Sequence, residues 1–132
     1  MLSVYLLEEN EEWDTIVRSF SSYDVYYLSG YLKAFKIHGD GEPLLFFYES
    51  GDTRGINVVM KRDIALDCHF IGKLKQGLYF DFSTPYGYGG WLIDGDREEV
   101  ICAYENWCQE NNIISEFVRY HPVLQNQLGT DK

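Results

Sequence analysis

The densest group of chemistry-bearing side chains in the sequence is Tyr79-Phe80-Asp81-Phe82-Ser83-Thr84-Pro85-Tyr86-Gly87-Tyr88-Gly89-Gly90. Glycine occupies positions 87, 89 and 90. A backbone without Cβ atoms can bring its amides close to a ligand, which is what cradling an oxyanion or a phosphate requires. The block has neither the Lys-Ser/Thr of a P-loop nor the full spacing of a dinucleotide fingerprint, and on spacing alone a plain turn accounts for it too. Asp81 stands in an aromatic strand, where a carboxylate must face a cleft or be hydrogen-bonded; it reads either as a turn anchor or as a site residue.

Asp67-Cys68-His69 invites a nucleophile or metal reading. Side chains at adjacent positions diverge on strands and helices alike, and no third partner is evident, so the segment is expected to be a loop or half-buried strand with no metal. His38, just before Gly39, reads as a helix C-terminal residue interacting with exposed carbonyls. Cys102 and Cys108 are six positions apart, on different faces of a helix, which points to packing.

These residues need elements to hold them. Leu2 to Leu7 reads as a strand, followed by a helix capped by Asn10 and carrying Trp13, Ile16, Val17 and Phe20 on one stripe. A second helix is expected from near Ser29 to Gly39, with Tyr31, Leu32 and Phe35 inward. Pro43 to Tyr48 and Ile56 to Ile64, broken at Gly51-Asp52, predict a hairpin. Leu78 to Phe82 is a further strand, and a short extended Trp91-Leu92-Ile93 follows the glycine-rich passage. Asp96 is placed to cap a long helix and Glu99 to reciprocate in a capping box, with Val100, Ile101, Tyr104, Trp107 and Cys108 at helical spacing. Asn111-Asn112 ends that helix before a last strand from Ile113 to Val118. The predicted order is β-α-α-β-β-β-α-β: a mixed sheet of five to six strands with helices on its faces, and parallel pairing across the last helix.

With 132 residues, 45% of them hydrophobic and 24% charged, the chain suits one domain with one core. Aromatic residues make up 17%, including 11 Tyr, so core and cleft alike are expected to be built from rings with polar tips. A net charge of -10 disfavours DNA and anionic membranes, and Lys61-Arg62 and Lys73 with Lys75 are too short to form a nucleic-acid stripe. The start lacks a basic leader and runs into Glu8, Glu9, Glu11 and Glu12; no apolar stretch reaches spanning length. Three cysteines without paired metal spacing argue against a disulfide framework. Together these predict a cytoplasmic protein without membrane insertion.

Pro85-Tyr86-Gly87-Tyr88-Gly89-Gly90, after an aromatic strand with Asp81 and before a helix, resembles the PYGYGG signature of FemAB-like proteins in the GNAT superfamily. Asp24-Val25-Tyr26-Tyr27 leading into a Tyr31-containing helix, and Phe117-Val118-Arg119-Tyr120-His121-Pro122-Val123-Leu124-Gln125-Asn126, match the layout of that family's first half. The resemblance spans roughly residues 20 to 126, and its specific part is the glycine-rich block. It implies a GNAT-like fold, the N-terminal half of a two-subdomain architecture. It also implies an acyltransferase, transferring an acetyl or aminoacyl group to an amine. Acetyl-CoA or aminoacyl-tRNA would be the donor, and a small molecule or peptidoglycan precursor the acceptor. The usual GNAT pyrophosphate loop is not present; the Tyr-Gly-Tyr-Gly-Gly turn lies at a comparable place.

Acyl transfer to an amine needs a deprotonated nucleophile, donors for the tetrahedral oxyanion and an acid for the leaving group. The candidates are the amides of Gly87, Gly89 and Gly90 for the oxyanion, and Tyr86 and Tyr88 for hydroxyl donation or substrate contact. Arg119 and His121 are candidates for a phosphate or carboxylate. The family also implies a Lys on the helix after the first aromatic block, near Lys33 and Lys36; for Lys36 a solvated surface role is the competing reading. A second function class stands beside the enzyme: a noncatalytic module that binds a peptide or pairs with itself through an open sheet edge.

Overall fold

The computed structural model describes residues 1–124 and 126; Gln125, part of the closing segment quoted above, lies outside the described residues. Among these residues six strands form one mixed sheet in the order β1-β2-β3-β4-β6, with β5 also paired to β3. They are β1 (Leu2–Leu6), β2 (Glu42–Ser50), β3 (Thr53–Asp63), β4 (Phe80–Ser83), β5 (Leu92–Asp94) and β6 (Ile113–Phe117). Among the described residues three α-helices accompany them: α1 (Asn10–Arg18), α2 (Ser29–His38) and α3 (Arg97–Glu110). The α/β class and mixed sheet are as the sequence predicted. The order gains one strand, because Leu92–Asp94 pairs antiparallel with Arg54–Ile56 where the sequence suggested only an extended stretch.

Strand alternation divides the core. Leu45, Ile56, Val58 and Met60 pack with Trp13, Val17, Phe20, Tyr27 and Leu32 on the face of α1 and α2. Leu44, Phe46, Tyr48, Val59 and Phe82 pack with Val100 and Tyr104 on the face of α3. Neighbouring residues on one strand point to opposite faces, so the unbroken apolar run of β2 is what a strand covered on both sides requires. The β2–β3 hairpin closes through Gly51-Asp52, with Gly51 at φ +58°, a conformation that suits a tight two-residue turn. β4 and β6 run parallel, joined through β5 and the α3 crossover.

Two predicted caps differ from the structure. Asn10 is the first residue of α1 and caps nothing; a single 3-10 turn, Leu7–Glu9, feeds straight into the helix and supplies the entry. Asp96 caps α3 as expected, accepting from the Glu99 amide at 3.2 Å. Glu99 does not reciprocate: its carboxylate accepts from the Tyr48 hydroxyl at 2.7 Å, and the Asp96 amide donates to Thr53 Oγ1. A tertiary contact from β2 thus outcompetes the local capping box. At the end of α2, Gly39 takes the left-handed conformation at φ +97° and donates to Phe35 and Lys36 carbonyls.

Candidate functional site

The glycine-rich bend follows β4 and is stitched to the segment after β6. The Thr84 amide and hydroxyl both donate to the Phe117 carbonyl, Thr84 Oγ1 accepts from the Arg119 amide, and the Gly89 amide donates to the Arg119 carbonyl at 2.8 Å. Gly89 and Tyr120 form an isolated parallel bridge beyond the end of the β4–β6 pairing. The Gly90 carbonyl accepts from the Tyr27 hydroxyl at 2.9 Å, and the Gly89 carbonyl accepts from Asn126 Nδ2 at 2.8 Å. Close packing explains the glycines. A Cβ on Gly87 would lie 2.5 Å from the Tyr26 ring, and one on Gly89 would lie 2.8 Å from Thr84 Cγ2. Gly89 and Gly90 are buried, and the Gly89 N–H is already donated within the chain.

Tyr86 is the bend's exposed member, 76% open to solvent, while its carbonyl accepts from the Tyr31 hydroxyl. Tyr88 is half-buried; its ring meets Tyr26 edge-on at 5.5 Å and His121 at 5.3 Å. His121 is buried and engaged on both nitrogens. Nε2 lies 2.8 Å from Asp24 Oδ2, and Nδ1 accepts from the Val123 and Leu124 amides at 3.2 and 3.3 Å. Acceptance at Nδ1 assigns the ring proton to Nε2, which donates to the carboxylate. The carboxylate that His121 meets is therefore one from its own chain. That hydrogen bond holds the Asp24 carboxyl below its ordinary value, outweighing the opposing effect of burial.

Helices α1 and α2 contact β1 and β2, and α3 contacts β3, β5 and β6 from the other side. Phe82 packs on the α3 face, so its neighbours Asp81 and Ser83 point to the α2 side, where a groove lies beside β4. Two cavities, about 740 and 530 Å³, share Asp40 and Ser83 to Tyr86 as a common wall. Asp81 lines the larger one and is clamped by Arg62 through two bonds, Nε to Oδ1 at 2.8 Å and Nη2 to Oδ2 at 2.7 Å. The clamp raises the Arg62 pKa above its already high ordinary value. Asp81 is thus both hydrogen-bonded and cleft-facing. Arg119 and Phe117 line the smaller cavity, with the Arg119 guanidinium 5.9 Å from the Tyr86 ring centre. Lys36 stands apart, paired with Glu42 Oε1 at 3.2 Å and near Glu8.

One pair in the groove escaped the sequence reading. His38 and Asp40 both line the smaller cavity, with Nδ1 3.0 Å from Oδ1. His38 ends α2 as expected, and the left-handed turn at Gly39 brings its ring to a carboxylate two positions on. The sequence signal was His-Gly-Asp itself: a glycine between two polar residues at a helix end. The neutral tautomer with Nδ1–H directed at Asp40 leaves the lone pair on Nε2, the arrangement of an oriented general base. Asp67, which lines the larger cavity, sits with Cys68 and His69 on an exposed turn, their ligand atoms within 4.8 Å of one another. The divergence of neighbouring side chains on strands and helices does not apply there.

No protein-family model matches the chain, and no curated protein or solved structure matches it either. Among the described residues no helix is long and apolar enough to cross a membrane.

Proposed function

We propose that the chain is the acceptor-binding part of an acyltransferase of FemAB-like type with a GNAT-like sheet, seating an amine-bearing acceptor in the groove beside Tyr86. The observation that carries this reading is the groove itself. It combines an aromatic wall of Tyr86, Phe35 and Phe117 with charged groups of both signs, Arg119, Asp40 and the Arg62–Asp81 pair. Such a lining suits an elongated polar acceptor with an amine at one end and a carboxylate elsewhere. His38, oriented by Asp40, takes the proton from the attacking amine; Arg119 holds an acceptor carboxylate. Acetyl-CoA or an aminoacyl-tRNA supplies the acyl group.

The reading is tested by titrating the isotope-labelled chain with a lysine-bearing peptidoglycan stem peptide and following amide shifts. Saturable shifts at Asp40, Tyr86 and Arg119, weakened about tenfold by Arg119→Ala, are expected, equivalent to about 1.4 kcal/mol. Shifts that fail to saturate, or that avoid the groove, would count against it. A second reading is favoured by β6, whose only strand partner among the described residues is β4, and whose Ile114 and Phe117 are 61% and 60% exposed. An open edge with apolar side chains is a template for strand addition, which describes a noncatalytic module that pairs with a second copy. Concentration-dependent mass in light scattering, abolished by Ile114→Lys, would support that module, and a constant monomer mass would remove it.

A further inference from the structure

We propose that Asp67, Cys68 and His69 form a binding site for a divalent transition-metal ion of the zinc type at the rim of the groove. Thiolate, imidazole and carboxylate are the three side-chain groups such an ion prefers, and their mixture disfavours calcium or magnesium, which take oxygen ligands. This is the one group of three such side chains within reach of one another among the described residues.

The local backbone explains how three consecutive residues converge. Asp67 Oδ1 accepts from the His69 amide at 2.8 Å, and the Asp67 carbonyl accepts from the Phe70 and Ile71 amides, both at 2.9 Å. Those bonds fold the chain into a turn that carries the three side chains to one side. One carboxylate oxygen is engaged in holding the turn, and the other remains for an ion, so the ligand is oriented by its own neighbours. The ligand atoms lie within 4.8 Å of one another, whereas bonds of about 2.0–2.3 Å to a tetrahedral ion bring them somewhat closer. All three side chains are exposed, and rotamer changes at the surface supply that contraction.

Two further features fit an ion here. Arg62, the cation that lines the same cavity as Asp67, is already paired through its bidentate bond to Asp81. The chain's net charge of -10 raises the local concentration of cations. Asp67 also lines the larger cavity of the groove. Three protein ligands leave the fourth position of a tetrahedral ion open to water or to a donor atom of whatever occupies the groove. Binding is stoichiometric, one ion per chain, and transfers the Cys68 thiol proton to buffer as the sulfur becomes a thiolate ligand.

The test uses cobalt(II) as the probe and zinc(II) as competitor, on the reduced full chain after chelator treatment. A saturable thiolate-to-cobalt charge-transfer band at one equivalent, bleached by zinc, is expected. Cys68→Ser should abolish the band, and His69→Ala should weaken cobalt binding at least tenfold. Cys102→Ser, at an exposed position of α3, should leave the band intact. The inference is overturned if no band saturates, if it survives Cys68→Ser, or if it disappears with Cys102→Ser. All the altered side chains are exposed, and an unchanged circular dichroism spectrum confirms that each variant is folded. The readout is independent of acyl transfer, so its failure leaves the function proposed for the groove standing.

Discussion

Among single residues, Asn57 is the clearest local conflict. It lies in the middle of β3, 1% exposed, and neither its Nδ2 nor its Oδ1 finds a hydrogen-bond partner among the described residues. A buried amide that has lost its hydration without compensation costs about 1–3 kcal/mol. Asn57→Leu, which keeps the branched skeleton without the polar atoms, is therefore expected to stabilise the fold by up to about that amount, read as a higher urea midpoint at an unchanged m-value; a lower midpoint would show that the amide is satisfied or that the larger side chain overpacks the site. Glu116 shows a second conflict. The residue is open along the edge of the sheet, yet its carboxylate accepts from the buried Tyr104 hydroxyl at 2.5 Å. Desolvation there raises the Glu116 pKa above its ordinary 4.5, and the same burial pushes the neighbouring Cys108 thiol up to about 12. A carboxyl with a raised folded value favours the native state while protonated and loses that contribution as pH rises through the folded value. Glu116→Gln should match the wild type in acid and exceed it in thermal stability at neutral pH. Equal melting temperatures at both pH values would refute this. Neither residue was legible from the sequence, because each conflict depends on which side chains the sheet brings opposite them.

The elements divide the glycines by what surrounds them. Gly30, in the first turn of α2, has nothing within 4 Å of an added methyl and an ordinary φ, so Gly30→Ala is expected to stabilise by about 0.5 kcal/mol through a better helix former. Gly87 sits at φ +115° with the Tyr26 ring 2.5 Å from any added Cβ. Gly87→Ala is expected to lose about 1–3 kcal/mol from backbone strain and overpacking. Chemical denaturation of the pair measures both signs at once, and a destabilised Gly30→Ala with a neutral Gly87→Ala would contradict this packing. Most elements were readable from spacing: both ends of α2, the Asp96 cap and the hairpin over Gly51-Asp52. The reciprocal role of Glu99 was not, because Tyr48 lies 51 positions away in sequence. The short β5 was readable only as extended, since three residues acquire strand identity from the partner that bonds them.

On the scale of the whole molecule, the Asp24–His121 bond joins residues 97 positions apart and fastens the segment after β6 across the glycine-rich bend. Asp24 is 41% exposed and His121 7%. Solvent screening therefore limits the contribution to about 0.5–1 kcal/mol at neutral pH. The lowered Asp24 pKa means that this stabilisation is complete above the ordinary 3.8 and fades as acidification passes through the folded value. Asp24→Asn should be less stable than wild type at neutral pH and converge with it in strong acid; a gap independent of pH would show that the charge contributes nothing. Taken alone, the sequence determined the α/β class, the helices and most strands, because hydrophobic period, glycine and capping residues act over a few positions. It also singled out the bend after β4. Tertiary structure decided which of the marked residues face outward. His121 and Gly89 turn in to bond their own chain, Tyr86 and Arg119 stay on the groove, and His38 acquires Asp40. Burial and hydrogen-bond partnership arise from the meeting of distant segments, and no local pattern encodes them.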